Sequence, residues 1–275
     1  MAEFPIGHLA LTQLELSESY PTPPSRNTHD SPQDPWIRLE EDSWYYYLAE
    51  IALRRITDGI VKGMLAESDR CDFPSAEFSP QQLIPAVLEF ERHLASWYES
   101  LPDSMAFPAS PTPLDSELRY FLRSRYYLTS ELLYRPFLCY TIHHLEDASL
   151  EVHEFAQKGL LFASNYLTQS NHTHRHHGKW LQLRREVTAI CILMTAFGSG
   201  MEMPPDWRSG VERAHEHIRY WSMEARYLGS WERMVTAVDD YFMRFRDLGY
   251  ENRAITEEDG LVEDGSWGQS LASLS

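Results

Sequence analysis

The chain has 275 residues, of which 43% are hydrophobic and 13% aromatic, as is typical of a folded globular protein. Its formal net charge is −17, and much of this charge lies in residues 1–42 (eight acidic, two basic) and 251–275 (six acidic, one basic). A negative field repels nucleic-acid phosphates, so we expect no direct DNA binding by this chain. No apolar run is long enough to span a membrane, which excludes a membrane-protein interpretation.

The two ends of the chain differ in composition from its middle. Residues 1–35 are polar and rich in proline, and residues 251–275 are acidic, so both are predicted to be disordered. Order is expected to begin near Pro35 and Trp36. Residues 36–250 show helical periods and almost no strand alternation. The predicted fold is therefore all-α, a multi-helix domain with disordered acidic ends.

The first half of the helical region contains three predicted helices. The first starts at residue 42 or 43 and extends to residue 60, and the second, with apolar residues at three-and-four spacing, covers 79–101. A third helix is expected at 115–134. Pro136 should break or kink it, because proline lacks an N–H group and its ring crowds the preceding turn.

The second half of the region contains four more predicted helices. One covers roughly residues 148–167, and a nearly continuous apolar segment at 180–196 indicates a central helix that ends at Gly198-Ser199-Gly200. The last two are expected at 206–228 and 230–248, separated at Gly229.

The cysteines and aromatic runs are predicted to have structural roles. The chain has three cysteines, Cys71, Cys139 and Cys191. Their odd number and wide spacing indicate reduced thiols in an intracellular protein. Cys139 and Cys191 lie in apolar stretches, so core packing is favoured for both. The aromatic runs are also assigned to the core rather than to a base-stacking surface: 44–47, 126–127 and 220–221.

A polar, histidine-rich loop at 168–178 is the most obvious candidate metal site. Its histidines surround Arg175, and histidine is a common metal ligand. A zinc site needs ligands in fixed tetrahedral geometry, which a polar loop without cysteines or carboxylates does not provide. We therefore interpret the loop as solvated or as an anchor, and expect neither a metal nor another cofactor. The histidines concerned are His172, His174, His176 and His177.

Motifs for enzyme chemistry are absent from the sequence. Gly198-Ser199-Gly200 has the wrong spacing for a nucleophile elbow, and Gly178-Lys179-Trp180 lacks the upstream glycine and the hydroxyl residue of a phosphate loop. His215 and His217 are two residues apart on a predicted helix and so face different directions. We expect no enzymatic activity and no catalytic residues.

Four segments share the order of a known family: 41–56, 94–102, 118–138 and 176–185. They resemble the regulatory region of fungal zinc-cluster transcription factors, often called the fungal-specific transcription factor domain. The residues that carry the likeness are given structural roles: Trp44, Tyr47, Trp97, Tyr134, Arg135, Pro136, Phe137, His177, Gly178 and Trp180.

The resemblance implies an all-α region that regulates transcription in the nucleus. It would act through contacts with the transcription machinery or co-regulator proteins, as a monomer or as a homo- or heterodimer. The six-cysteine DNA-binding cluster of the family is missing, because three scattered cysteines cannot form it. The alternative is a helical scaffold or dimerisation protein unconnected with transcription.

The acidic tail is typical of an activation segment. Acidic residues at 257–259 and 263–264 alternate with Leu261, Trp267 and Leu271, so a partner groove could capture the apolar residues. A tail that only aids solubility fits the same pattern.

Overall fold

The computed structural model describes residues 35–70, 80–169, 178–224 and 226–253, together with Pro24 and Arg175. These residues form seven α-helices, one short 3-10 helix and no strand, which confirms the all-α prediction. None of the described helices combines the length and apolar character needed to cross a membrane. The helices are α1 (Pro35–Arg70), α2 (Ile84–Glu99), α3 (Glu117–His143), α4 (Leu150–Thr168), α5 (Lys179–Gly198), α6 (Trp207–Ser222) and α7 (Arg226–Arg253), with the 3-10 helix at Pro80–Leu83.

The chain divides into two compact units between Tyr134 and Arg135. The first unit contains α1, α2 and the first part of α3, and the second contains the end of α3 with α4 to α7. The sequence indicates one helical region at 36–250 and gives no sign of this division. The predictions for residues 1–34 and 254–275 lie outside the described residues.

Pro136 does not end a helix, so the predicted break there is wrong, whereas a kink at Pro136 stays a prediction. It lies inside α3, which continues without interruption to His143. The proline removes one backbone donor, but the turns around it remain helical because Leu133, Phe137 and Leu138 are buried there. Arg135 is consequently a half-buried residue of a helix interior and not, as a break at Pro136 would imply, a residue at a helix end.

The boundary between the last two helices is also displaced from its predicted position. The predicted break at Gly229 is wrong, because α6 ends at Ser222 and Gly229 lies inside α7. Leu228 and Val235 are both buried and are seven residues apart, so one helix presents them on the same face. A single glycine costs a helix only about 1 kcal/mol, less than this burial contributes.

Side chains of the first unit join its three helices. Trp97 on α2 donates its Nε1 hydrogen to the carbonyl oxygen of Ala49 on α1, at 3.0 Å. The hydroxyl groups of Thr57 and Thr129 lie 2.8 Å apart, which links α1 to α3. Buried apolar side chains fill the space between these contacts: Leu53, Ile60, Leu83, Val87, Leu94 and Leu133.

The segment 100–116 follows an irregular path that side chains of α3 hold in place. Arg123, only 1% exposed, donates from Nη1 to the carbonyl oxygen of Ser110 at 2.9 Å, and Tyr127 donates to that of Ala109 at 2.7 Å. Burial lowers the pKa of Arg123 and raises that of Tyr127 to about 12. Both side chains stay protonated at neutral pH and remain hydrogen-bond donors to the segment.

In the second unit, four helices pack against one another, with α6 in contact with α4, α5 and α7. A close approach occurs at Gly210, where a Cβ atom would lie 3.3 Å from Leu167 Cβ. Glycine thus lets α6 pack tightly against α4. The core of this unit is aliphatic over most of its area: Leu160, Leu167, Leu183, Ile190, Leu193, Val211, Ile218 and Val235.

The core assignment of the cysteines and aromatic runs is only partly correct. Cys139 is exposed, and Cys191 is partly buried, where desolvation raises the pKa of its thiol. Cys139 follows Phe137 by two residues, which places it on the opposite side of α3 from that buried ring. The aromatic runs likewise alternate between faces: Tyr127 and Trp221 are buried, whereas Tyr45, Tyr47 and Tyr220 are exposed.

We expect Gly198→Ala to destabilise the protein, because a Cβ atom there would overlap with the ring of Phe242 on α7. Overpacking typically costs about 1–3 kcal/mol, only partly offset by the better helix propensity of alanine. Gly63→Ala on α1 is the matched control, since its Cβ would meet Phe90 Cε2 at an ordinary 3.6 Å. Urea denaturation should show a lower midpoint for Gly198→Ala and an equal or higher one for Gly63→Ala. Equal midpoints for the two variants would contradict this packing.

Candidate functional site

The histidine-rich loop joins α4 to α5, but His172, His174, His176 and His177 lie outside the described residues. The absence of a metal there therefore stays a prediction. Of this loop, the structure describes Arg175, whose Nε lies 3.4 Å from a carboxylate oxygen of Glu224. Elsewhere in the described ranges, no group of three or more His, Cys, Asp or Glu residues could hold a metal ion.

A buried ion pair connects α5 to α6 beside this loop. His217 Nδ1 on α6 lies 2.9 and 2.8 Å from the two carboxylate oxygens of Glu186 on α5. The side chains are 1% and 0% exposed. Because a carboxylate only accepts hydrogen bonds, an ionised Glu186 accepts from the Nδ1 hydrogen of His217.

Two more residues of α5 extend the ion pair towards the start of that helix. Gln182 donates from Nε2 to Glu186 at 3.2 Å and accepts from Lys179 Nζ at 3.1 Å. Lys179 is 5% exposed, and its ammonium group also lies 5.1 Å from the centre of the Trp221 ring on α6. We call Lys179, Gln182, Glu186 and His217 the buried polar chain.

The buried polar chain is suited to anchoring rather than to catalysis. It fixes the first two turns of α5 against the second half of α6. Arg213, also on α6, donates to the carbonyl oxygen of Thr168 at the end of α4, so α6 holds both ends of the histidine-rich loop. General acid–base chemistry needs contact with a substrate, and the near-complete burial of Glu186 and His217 prevents such contact in this conformation.

A pocket of about 210 Å³ lies on the other side of α6, where α6 faces α7. His215 contributes to its wall, and the Nε2 atom of this residue is shielded from solvent and has no hydrogen-bond partner. Arg208 holds Asp239 with two hydrogen bonds, and the bond from Nη2 is 2.8 Å long. That contact raises the pKa of Arg208. The lining residues are Val211, Glu212, His215, Glu216, Arg219 and Asp239.

The different directions of His215 and His217 agree with the prediction from their spacing, but the sequence did not identify Glu186 as the partner of His217. A signal for the ion pair was present in the sequence. Glu186 lies on the same face of α5 as the buried Leu183 and Ile190, and His217 lies on the same face of α6 as Ala214, Ile218 and Trp221. A charged residue on each of two apolar faces indicates a buried pair, although it does not identify which residues meet.

Large apolar side chains are exposed where α5 begins and α6 ends. Trp180 is 44% and Leu181 38% exposed, while Tyr220 is 50% and Met223 80% exposed. The Lys179–Trp221 contact brings these two helix ends together. We call Trp180, Leu181, Tyr220 and Met223 the apolar end, which is rigidly positioned because the buried polar chain lies directly beneath it.

Separating Glu186 from His217 should cost far more stability than breaking an exposed ion pair. We expect His217→Leu and Glu186→Leu each to lower the free energy of unfolding by about 3–5 kcal/mol, because each removes the nearest polar partner of a buried polar group. The double variant should lose much less than the sum of both. The matched exposed pair is Arg219 and Glu232, for which the same denaturation cycle should give a coupling of about 0.2–1 kcal/mol. Additive losses at Glu186 and His217 would contradict the pairing.

Acid should weaken the protein through His215. Burial lowers the pKa of this imidazole below the ordinary 6.5, so the unfolded chain binds more protons between the two values. The contribution of His215 to the free energy of unfolding is fully present above pH 6.5. It decreases as the pH falls from there towards the pKa of His215 in the folded state. His215→Gln should flatten this loss in urea denaturations between pH 7.5 and about 5. The exposed His93→Gln controls for removal of an imidazole, and equal slopes for both variants would refute the effect.

The residues that carry the family resemblance occupy packing, surface and helix-start positions. Trp97, Tyr134 and Phe137 are buried, and Tyr134 donates to Glu91 at 2.6 Å. Gly178 precedes the first residue of α5, as expected for a loop-to-helix transition. Of the others, Trp44, Arg135 and Pro136 are partly buried, Tyr47 and Trp180 are exposed, and His177 is not described. No family model, curated protein or solved structure was found to match the chain.

Proposed function

We propose that this chain is a non-enzymatic regulatory module that acts on transcription in the nucleus through contacts with co-regulator proteins. The likeness of four segments to the regulatory region of fungal zinc-cluster transcription factors supports this proposal. The all-α architecture agrees with that likeness.

The observation that carries the proposal is the apolar end of α5 and α6. Exposed aromatic and methionine side chains on a rigid base are typical of protein-binding surfaces, where such residues supply most of the binding energy. The base is rigid because Lys179, directly beside Trp180, is held by Gln182 and Trp221. A co-regulator would bury Trp180 and Met223 with little conformational adjustment of this unit.

The acidic tail offers a second contact to the same class of partner. Residues 257–271 combine five acidic side chains with Leu261, Val262, Trp267 and Leu271. Such segments bind as short amphipathic helices, with the acidic residues facing solvent. The rigid apolar end would then provide selectivity, and the tail additional affinity.

A fusion of the full chain to an unrelated DNA-binding domain should change the output of a reporter gene. The double variant Trp180→Ala with Met223→Ala should reduce that change, because removing a central contact of an interface costs about 2 kcal/mol or more. The matched control is Leu161→Ala on α4, since Leu161 and Trp180 are both 44% exposed. Deletion of residues 257–275 should also reduce any activation.

Each outcome of the reporter experiment has a definite meaning at equal protein levels. A fusion that leaves the reporter unchanged refutes the transcriptional role and favours a scaffold protein. An active fusion that Leu161→Ala weakens as much as the double variant refutes the apolar end as the contact surface. If deletion of residues 257–275 leaves the reporter output unchanged, the tail has no part in activation and only aids solubility.

A further inference from the structure

The first turns of α1 contain large apolar side chains that remain exposed to solvent. None of the side chains from Trp36 to Leu48 is buried, and the first buried residue of the helix is Ala49. Yet this stretch carries large apolar groups: Trp36 is 75%, Leu39 53% and Tyr47 52% exposed. A helix gains most of its stability from packing an apolar face, so an exposed face of this kind indicates a contact with another surface.

These apolar residues lie on one face of the helix. Leu39, Ser43 and Tyr47 follow each other at intervals of four, and Trp36 precedes Leu39 by three, so the four form a single stripe. Arg54 extends this stripe two turns beyond Tyr47, with 56% of its side chain exposed. We call this surface the α1 stripe.

The charges along the α1 stripe are arranged symmetrically about Tyr47. Glu40 is exposed at the border of the stripe, seven residues before Tyr47, and Arg54 follows Tyr47 by seven. From Glu40 to Arg54 the helix rises by about 21 Å. If two such helices lie antiparallel with Tyr47 at the centre, Glu40 of each stands opposite Arg54 of the other. Parallel helices would instead place like charges opposite each other.

We propose that the α1 stripe binds a second copy of this chain, with the two α1 helices antiparallel and a two-fold axis near Tyr47. The surface is self-complementary, as an interface between identical copies must be: the same patch supplies acid at one end and base at the other. Leu39 and Tyr47 lose their exposure to solvent, and the two Glu40–Arg54 contacts fix the register and direction. The proposal is independent of the proposed function, because neither a reporter nor a co-regulator enters it.

Size-exclusion chromatography with light scattering on the full chain tests the association. The mass should rise from 32.0 kDa at low concentration towards twice that value as the concentration increases. Leu39→Asp should keep the protein monomeric, whereas Leu150→Asp on α4, at a residue 77% exposed, should not. If the wild-type chain stays monomeric at every concentration, the proposal is overturned. That result is expected if another segment or another protein covers the α1 stripe.

Charge reversal tests the antiparallel register. Glu40→Arg and Arg54→Glu should each weaken self-association by about tenfold or more, because each places like charges opposite one another twice. An equimolar mixture of the two variants should dimerise again, since every facing pair then has opposite charges. Failure of the mixture to dimerise, or dimers that neither reversal weakens, would overturn the proposed arrangement. Both substitutions change exposed residues, and the mixture itself shows that the two variants remain folded.

Discussion

The Glu186–His217 pair determines how the second unit is assembled. Removing these two polar side chains from water is unfavourable, so this arrangement is stable only when the two groups meet with good geometry. Two contacts of 2.8 and 2.9 Å to one imidazole nitrogen, with Gln182 on the same carboxylate, satisfy that requirement. Any sliding of α6 along α5 would separate the partners. The pair thus specifies the register of these helices, which non-directional packing of buried aliphatic side chains such as Leu183 and Ile218 would leave adjustable.

In the first unit, polar side chains of one helix hold an irregular segment instead of a second helix. Because the segment 100–116 is irregular, its backbone carbonyl groups need hydrogen-bond donors from elsewhere in the protein. Arg119, Arg123 and Tyr127 supply donors from successive turns of α3, so the segment follows the helix that anchors it. In both units, polar side chains on otherwise apolar helix faces fix position while the aliphatic core supplies most of the stability.

The surfaces that remain exposed differ in character between the two units. The apolar end in the second unit is short and lies above a rigid base, which suits a partner that inserts side chains around Trp180 and Met223. The α1 stripe in the first unit is long and carries opposite charges towards its two ends, which suits a second copy of the same helix. A regulatory module that binds a co-regulator through one unit and pairs through the other would use both surfaces at once.

The sequence by itself determined the fold class and the approximate positions of most helices, because apolar spacing reports directly on helical faces. It also indicated that His215 and His217 diverge, since two residues correspond to a little over half a helical turn. Only the tertiary structure decided that α3 continues through Pro136, because the burial of Leu133 and Phe137 outweighs the lost hydrogen bond. It likewise decided that Cys139 is exposed and that Glu186 meets His217. Pairing between residues 31 positions apart depends on how whole helices pack, and no local pattern encodes that arrangement.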